Sequence, residues 1–264
     1  MIPSALEHLQ EIAPCGQRLA IFLDYDGTLT PIVSHPEKAL LSDSMRQTVR
    51  ALAKQALVAI LSGRDLEEVR RRVDIDTITY GGSHGFDIAG PRGLRKQVAT
   101  EFLPELDMME NELGKELAGI AGARVERKRY SIAAHYRNVN ENDVPKVEQA
   151  VSEVAARHRE LRIIEGKKVY ELLPDIEWDK GRAVLWLLET LGLERTKVRP
   201  IYIGDDRTDE DAFRALEQRG VGILVSEQAR PTAARYSLKD PTEVERFLRD
   251  LVASLTELRS SNDQ

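Results

Sequence analysis

The chain has 264 residues, 42% hydrophobic and 31% charged, a balance typical of a soluble globular protein with one large domain or two modest ones. Its net charge of −6 argues against nucleic acid or an anionic membrane surface as the main partner. A single cysteine, Cys15, excludes an internal disulfide framework, and no apolar run approaches the ~20 residues that span a bilayer. Because the start also lacks a signal-peptide pattern, we expect a cytoplasmic protein without a membrane partner. We further expect a monomer.

In chain order, short apolar runs typical of buried strands alternate with amphipathic segments typical of helices. The first part of the chain contains three such strands, at residues 18–25, 57–62 and 77–82, and helices at 42–56 and 64–73. The last part repeats the pattern, with strands at residues 198–206 and 220–226 and helices at 208–219 and 241–255. This alternation predicts an α/β fold with a parallel sheet covered by helices on both faces.

The middle of the chain lacks this alternation. Helices are predicted at residues 104–118 and 143–160, and extended structure at 125–137 and 161–174. The second extended segment is predicted to form two strands joined at Glu165-Gly166. Helices and β pairs without parallel alternation predict a small α+β insertion at residues 101–176. The core is then formed by residues 1–100 and 177–264.

Polar residues follow three of the predicted core strands, at Asp24, Asp26 and Thr28, at Ser62, Gly63 and Arg64, and at Asp205 and Asp206. Ligands of parallel sheets bind beyond the carboxyl ends of the strands, so these side chains are candidates for one crevice. The alternative is that Asp and Gly form turns there. Several carboxylates in one crevice need a cation, and oxygen ligands favour Mg²⁺. One cysteine and five scattered histidines give no zinc pattern.

Four segments occur in the order of the motifs of the haloacid dehalogenase-like (HAD) phosphatases: "DYDGTL" at 24–29, "LSGR" at 61–64, "WDKG" at 178–181 and "GDDRTDEDAF" at 204–213. The last of these resembles the trehalose-6-phosphate phosphatases in particular, as do "GSHG" at 82–85 and "KVYELLPDIEWDKG" at 168–181. This resemblance implies a Rossmann-like HAD core with an inserted C2-type α+β cap domain that determines substrate specificity.

The resemblance also implies a mechanism. Asp24 would be the nucleophile that attacks phosphorus and forms an aspartyl-phosphate. Asp26 would protonate the leaving sugar oxygen and then act as a base on the hydrolytic water, with its side chain free and its backbone carbonyl on Mg²⁺. Lys180 would neutralise Asp24 and the transferring phosphoryl group.

The other core assignments also follow from the resemblance. The implied metal set is Asp24, Asp26 and Asp205. Behind it are Asp206 and Asp209, which would support the metal ligands or bind the metal through water. At the phosphoryl group, Ser62 would donate a hydrogen bond, assisted by backbone N–H groups at the start of the following helix, near Gly63 and Arg64. Thr28 is expected to orient Asp26, and His84 to contact the sugar or close the cap.

The cap contains a charged set that resembles the glucose-binding residues of the family. Glu126 and Lys128 are two residues apart on one predicted strand and share a face. Lys167 and Glu171 are four apart on another predicted strand and also share a face, and Arg137 completes the set. The alternative is that these charges form solvated faces of an exposed sheet.

The function implied is Mg²⁺-dependent hydrolysis of trehalose 6-phosphate to trehalose and inorganic phosphate, a phosphoric monoester hydrolase of trehalose biosynthesis. The core motifs leave open another HAD sugar phosphatase, acting for example on sucrose-phosphate or a glucosylglycerate-type phosphate. An inactive sugar-phosphate sensor is a different class, but such a protein would usually lack one of the motif residues. A phosphomutase would share the covalent intermediate and return the phosphoryl group.

Overall fold

The computed structural model describes residues 2–33, 36–193 and 198–262. The chain divides into two compact units, Met1–Lys96 with Trp178–Gln264, and Gln97–Glu177. The predicted insertion, residues 101–176, lies within the second unit, and its role as a cap stays a prediction.

The first unit is built on an eight-stranded sheet. Its strands are β1 (Arg18–Leu23), β2 (Leu57–Leu61), β3 (Thr79–Gly82), β4 (Asp87–Ala89), β5 (Arg95–Gln97), β10 (Val198–Gly204), β11 (Val221–Val225) and β12 (Tyr236–Leu238). Their order in the sheet is β12-β11-β10-β1-β2-β3-β4-β5. All pairs from β12 to β3 are parallel, and β4 pairs antiparallel with β3. The predicted parallel α/β fold is therefore confirmed.

Helices cover this sheet on both faces. They are α1 (Leu9–Ile12), α2 (Asp43–Ala53), α3 (Leu66–Val73), α6 (Lys180–Thr190), α7 (Asp209–Leu216) and α8 (Pro241–Asn262). Successive residues of a strand point to opposite faces, so Ile21 packs in the core formed with α2, α3 and α8, while Phe22 packs in the core formed with α6 and α7. This two-sided burial explains why β1 is apolar throughout.

The chain order reverses at β1. The strands that follow it, β2 and β3, continue on one side, whereas β10, β11 and β12 lie on the other. A crevice forms beyond the carboxyl ends of the strands at such a switch point. Here the two flanking strands end at Leu23 and Gly204, directly before Asp24 and Asp205.

The second unit has its own sheet and its own apolar core. Strands β6 (Arg124–Lys128), β7 (Ser131–His135), β8 (Leu161–Gly166) and β9 (Val169–Pro174) form an antiparallel sheet in the order β6-β7-β9-β8. Helices α4 (Leu103–Leu117) and α5 (Val144–Arg157) pack against one face through the apolar side chains of β7 and β9, such as Ile132 and Leu172. The opposite face bears polar and charged side chains.

One predicted hairpin differs from the structure. Strand β8 extends through Glu165 and Gly166, and the turn falls at Lys167 and Lys168 instead. Lys168 adopts a left-handed backbone conformation, φ +66°. Lys167 is consequently a turn residue, so the prediction that it shares a strand face with Glu171 is wrong.

None of the helices formed by the described residues is a candidate membrane span. The longest of them, α8, contains charged residues such as Glu245, Arg249 and Asp250.

Candidate active site

The carboxyl edge of β1 and β10 brings four charged side chains of the first unit together. Asp24 and Asp205 follow these two strands, and Lys180 and Asp209 are the first residues of α6 and α7. All four are buried, with exposures of 5% or less. The sequence predicted that residues following the strands would lie close together, and the structure shows this for Asp24 and Asp205. It also places the first residues of two helices, Lys180 and Asp209, beside them.

Lys180 bridges two of these carboxylates. Its Nζ lies 2.7 Å from Asp24 Oδ1 and 2.7 Å from Asp209 Oδ1. Asp179 caps the helix by accepting a hydrogen bond from the Arg182 N–H, which fixes the start of α6. The ammonium is therefore held at a defined position beside the Asp24 carboxylate.

Asp209 accepts four hydrogen bonds within the site. Its Oδ1 accepts from Lys180 and from the Tyr202 hydroxyl, the latter at 2.7 Å. Its Oδ2 accepts from the backbone N–H groups of Asp205 and Asp206, both at 2.8 Å. These four donors match the roughly four acceptor positions of a carboxylate. Asp209 therefore fixes the Asp205 loop and Lys180 at the same time.

The turn after β1 is shaped by Asp205. Gly27 has φ +87°, a conformation that favours glycine, and a Cβ at this position would overlap the Asp205 carboxylate. The Thr28 hydroxyl donates to Asp205 Oδ1 at 3.4 Å. The Thr28 hydroxyl thus has Asp205 as its hydrogen-bond partner, and the expectation that Thr28 orients Asp26 stays a prediction.

The electrostatics of this cluster are dominated by burial. Desolvation raises the pKa of Asp24 well above its usual value, and the neighbouring Asp209 and Asp205 add to this while Lys180 opposes it. Burial would lower the pKa of Lys180, but Asp209 and Asp24 outweigh it and raise that pKa well above its usual value. Burial would likewise raise the pKa of Asp209, but Lys180 and the other donors hold it below its usual value.

The cluster fits a metal ion. Asp24, Asp205 and Asp209 each offer a carboxylate oxygen, and these oxygens all lie within 4.8 Å of one another. One ammonium facing three buried carboxylates leaves an excess of negative charge that a bound cation would balance. Because four donors already engage Asp209, Asp24 and Asp205 are the better candidates for direct ligands, with Asp209 behind them.

Asp26 is paired with an arginine. Its two carboxylate oxygens each accept from Arg64, from Nε and from one terminal nitrogen, both at 2.7 Å. Arg64 also pairs with Glu68, and these partners outweigh burial and raise the pKa of the guanidinium. A bidentate ion pair thus engages both oxygens of the Asp26 side chain, and the expectation that this side chain stays free of the metal stays a prediction.

The segment after β2 packs against the segment after β3. The Ser62 hydroxyl accepts from the Arg64 N–H at 3.1 Å, and the Ser62 carbonyl accepts from the His84 N–H at 2.9 Å. The His84 ring lies directly over Gly63, because a Cβ there would be 2.9 Å from His84 Cε1. Ser62, Arg64 and His84 are buried, and Gly63 between them is partly buried. The Asp206 carboxylate accepts from the Arg207 N–H.

In the second unit, the polar face of the sheet carries two charged groups. Residues Glu126, Ala133 and Glu171 pair across β6, β7 and β9, so their side chains share this face. Glu171 is buried and accepts from Lys128 at 2.9 Å and from the Ser131 hydroxyl.

Glu126 forms the second charged group. Its Oε2 lies 2.6 Å from His135 Nε2 and 3.0 Å from an Arg124 nitrogen. The hydrogen bond to His135, assisted by Lys128, outweighs burial and lowers the pKa of Glu126.

Arg137 and Lys167 lie at one end of this sheet. A terminal nitrogen of Arg137 donates to the Lys167 carbonyl at 2.8 Å, so the contact involves the turn backbone. The five residues predicted to bind sugar in the cap therefore belong to one unit. Within it they form separate groups of contacts and not a single cluster.

Sequence reasoning missed three residues that these groups depend on. In the sequence, Tyr202 resembles the other residues of an apolar strand. Glu68 resembles a solvent-exposed charge on a helix, and Ser131 resembles the first residue of a strand. Only Tyr202 carried a detectable signal, because a hydroxyl inside an otherwise apolar strand needs a buried hydrogen-bond partner.

Comparison with known proteins places these observations in a family. The family model described as trehalose-phosphatase matches residues 22–242. The probable trehalose-phosphate phosphatase D of Arabidopsis thaliana is 44% identical, over 95% of this chain and 72% of that protein. The trehalose 6-phosphate phosphatase RA3 of Zea mays is also 44% identical, over 94% and 74%.

A solved structure agrees in fold. The C-terminal domain of the Candida albicans trehalose-6-phosphate phosphatase superposes with a TM-score of 0.81, covering 96% of this chain and 98% of that one at 22% identity. The family-model match over most of the chain, together with relatives 44% identical, shows that the chain belongs to the trehalose-phosphatase family.

Proposed function

We propose that the protein hydrolyses trehalose 6-phosphate to trehalose and inorganic phosphate through an aspartyl-phosphate on Asp24. The observation that carries this proposal is the buried contact of Lys180 with both Asp24 and Asp209 at the end of β1. Membership of the trehalose-phosphatase family supports the substrate.

In the first step the Asp24 carboxylate attacks phosphorus and the bond to the sugar oxygen breaks. Lys180 offsets the negative charge that the incoming phosphate brings to Asp24, because its ammonium contacts that carboxylate at 2.7 Å. The Ser62 hydroxyl donates a hydrogen bond to a phosphoryl oxygen, and Gly63, Arg64 and His84 surround Ser62. Phosphoryl transfer depends mostly on such positioning and charge neutralisation.

We assign Mg²⁺ as the metal ion, held by Asp24, Asp205 and the backbone carbonyl of Asp26. Carboxylate and carbonyl oxygens are the ligands that this ion prefers. When bound, it would neutralise phosphoryl charge and keep Asp24 ionised. Asp209 keeps Lys180 and the Asp205 loop in place, and Asp206 and Thr28 support the same loop.

Asp26 acts as general acid and then as general base. The Arg64 pair occupies both of its oxygens, so this pair opens and the carboxylate takes up a proton before Asp26 protonates the leaving oxygen. The substrate phosphate is the natural competitor for Arg64, because phosphate and carboxylate both accept bidentate hydrogen bonds from a guanidinium.

Substrate selection falls to the polar sheet face of the second unit and its adjoining turn. Glu126, Lys128, Arg137, Lys167 and Glu171 provide carboxylates and cationic donors for the sugar hydroxyls. A site built from such groups strongly rejects compounds that lack the matching hydroxyls.

The main alternative is that the enzyme hydrolyses another sugar phosphate, such as sucrose-phosphate or a glucosylglycerate-type phosphate. The inactive sensor is disfavoured because the motif residues Asp24, Lys180 and Asp205 are all brought together. The expectations of a monomeric, cytoplasmic enzyme without nucleic-acid or membrane partners stay predictions.

Phosphate release from a panel of sugar phosphates with Mg²⁺ tests the proposal. We expect trehalose 6-phosphate to be hydrolysed with the highest kcat/KM. The proposal fails if trehalose 6-phosphate is turned over no faster than glucose 6-phosphate, or if the phosphoryl group is returned to the sugar instead of being released.

A further inference from the structure

Tyr202 is a buried hydroxyl in contact with the charged network of the active site. It lies inside β10, three residues before Asp205, and its side chain is fully buried. Its neighbours Ile201 and Ile203 pack on the α2, α3 and α8 side, whereas Tyr202 packs on the α6 and α7 side. Strand alternation thus directs its hydroxyl toward the layer in which Lys180 and Asp209 begin their helices.

The hydroxyl forms one end of a chain of short hydrogen bonds. Tyr202 Oη donates to Asp209 Oδ1 at 2.7 Å, the same oxygen contacts Lys180 at 2.7 Å, and Lys180 contacts Asp24 at 2.7 Å. Its ring is held edge-on against Phe213 of α7, with centroids 5.7 Å apart. Packing of the ring therefore fixes the position from which the hydroxyl donates.

We infer that Tyr202 is a positioning residue for phosphoryl transfer, acting through Asp209 to hold Lys180 against Asp24. The hydroxyl fills one of the two acceptor positions on Asp209 Oδ1, so that Lys180 takes the other in a single geometry. This inference rests on the proposed function and adds to it a residue that lies outside the four sequence motifs.

Removing the hydroxyl leaves a buried carboxylate oxygen short of a donor. Oδ1 of Asp209 is then satisfied by Lys180 alone, and we expect the ammonium to move toward Asp209 and away from Asp24. The interaction between Lys180 and Asp24 matters most when negative charge accumulates at the phosphoryl group. The loss should consequently appear in kcat, because binding of the sugar depends on other residues.

The test is steady-state hydrolysis of trehalose 6-phosphate by Tyr202→Phe at saturating Mg²⁺. We expect kcat to fall by about tenfold, the effect of losing one hydrogen bond to a charged group. KM should change by less than about twofold. Circular dichroism defines a temperature at which each variant is fully folded, and kinetics are measured there, so that lost stability does not enter kcat.

Tyr80→Phe is the matched control. Tyr80 is also a buried strand tyrosine, and its hydroxyl bonds the backbone N–H and carbonyl of Ile75. Losing it should lower the unfolding midpoint and leave kcat unchanged. The inference is overturned if folded Tyr202→Phe keeps wild-type kcat, if only KM rises, or if Tyr80→Phe lowers kcat equally. Failure of the wild-type enzyme on trehalose 6-phosphate would instead overturn the proposed function.

Discussion

The two sheets of the molecule carry their charged side chains in opposite ways. At the carboxyl edge of the first sheet, Asp24, Asp205 and Asp209 are buried around one ammonium, which leaves negative charge in excess. On the polar face of the second sheet, Lys128 pairs with Glu171 and Arg124 pairs with Glu126, whose side chain is 33% exposed. Unbalanced buried charge favours the binding of a cation, whereas paired charge on a polar sheet face is suited to exchanging partners with sugar hydroxyls.

This contrast predicts different kinetic consequences for substitutions in the two units. Changes at the first sheet should act on turnover and metal binding for every phosphate monoester. Changes at the second should act on KM and only for substrates that carry the sugar.

The largest effect is expected from Asp24→Asn. This variant loses the proposed nucleophile and one carboxylate of the candidate metal cluster, so we expect turnover to fall by more than about 10³-fold. Isothermal titration with Mg²⁺ alone should show weaker binding. Asp76→Asn, at a side chain that is 90% exposed, is the control and should leave both quantities unchanged. Retention of phosphatase activity by Asp24→Asn would exclude Asp24 as the nucleophile.

Much of the first sheet could be predicted from sequence, because continuous apolar strands have a clear pattern. The short strands β4, β5 and β12 were missed, since three residues are too few to show a period of two. The predicted convergence of Asp24 with Asp205 followed from the rule for strand ends.

Pairings between distant side chains could not be predicted in the same way. Arg64 is 38 residues from Asp26, and nothing in either segment shows that a bidentate pair joins them. The position of Lys167 was predicted wrongly because the hairpin turn lies two residues later than predicted. The left-handed position of this turn is occupied by a lysine and not by a glycine, so the sequence does not indicate it. The family resemblance predicted which residues have a role at these positions. Their contacts with one another could be learned only from the structure.

An intermediate effect is expected from Lys180→Met. The substitution leaves Asp24 and Asp209 buried without the ammonium that bridges them, so turnover should fall on the order of 10²-fold. The free energy of unfolding should also fall, by about 3 kcal/mol, as is usual when one partner of a buried ion pair is removed. Chemical denaturation measures the second quantity.

Lys146→Met provides the comparison for Lys180→Met. This lysine pairs with Asp143 at the surface, with 68% of its side chain exposed, and exposed pairs contribute little. If the Lys180→Met enzyme is as stable and as active as the Lys146→Met enzyme, the buried charges are balanced without Lys180.

The smallest effect is expected from Glu171→Gln in the second sheet. The amide keeps the size of the side chain but weakens its hydrogen bonds with Lys128 and Ser131. If these groups bind sugar hydroxyls, KM for trehalose 6-phosphate should rise by about tenfold. Hydrolysis of p-nitrophenyl phosphate, which has no sugar, should be unchanged. Glu153→Gln, on the exposed surface of α5, is the control. Equal losses on both substrates would mean that Glu171 only stabilises its own sheet, and the contrast between the two units would not extend to specificity.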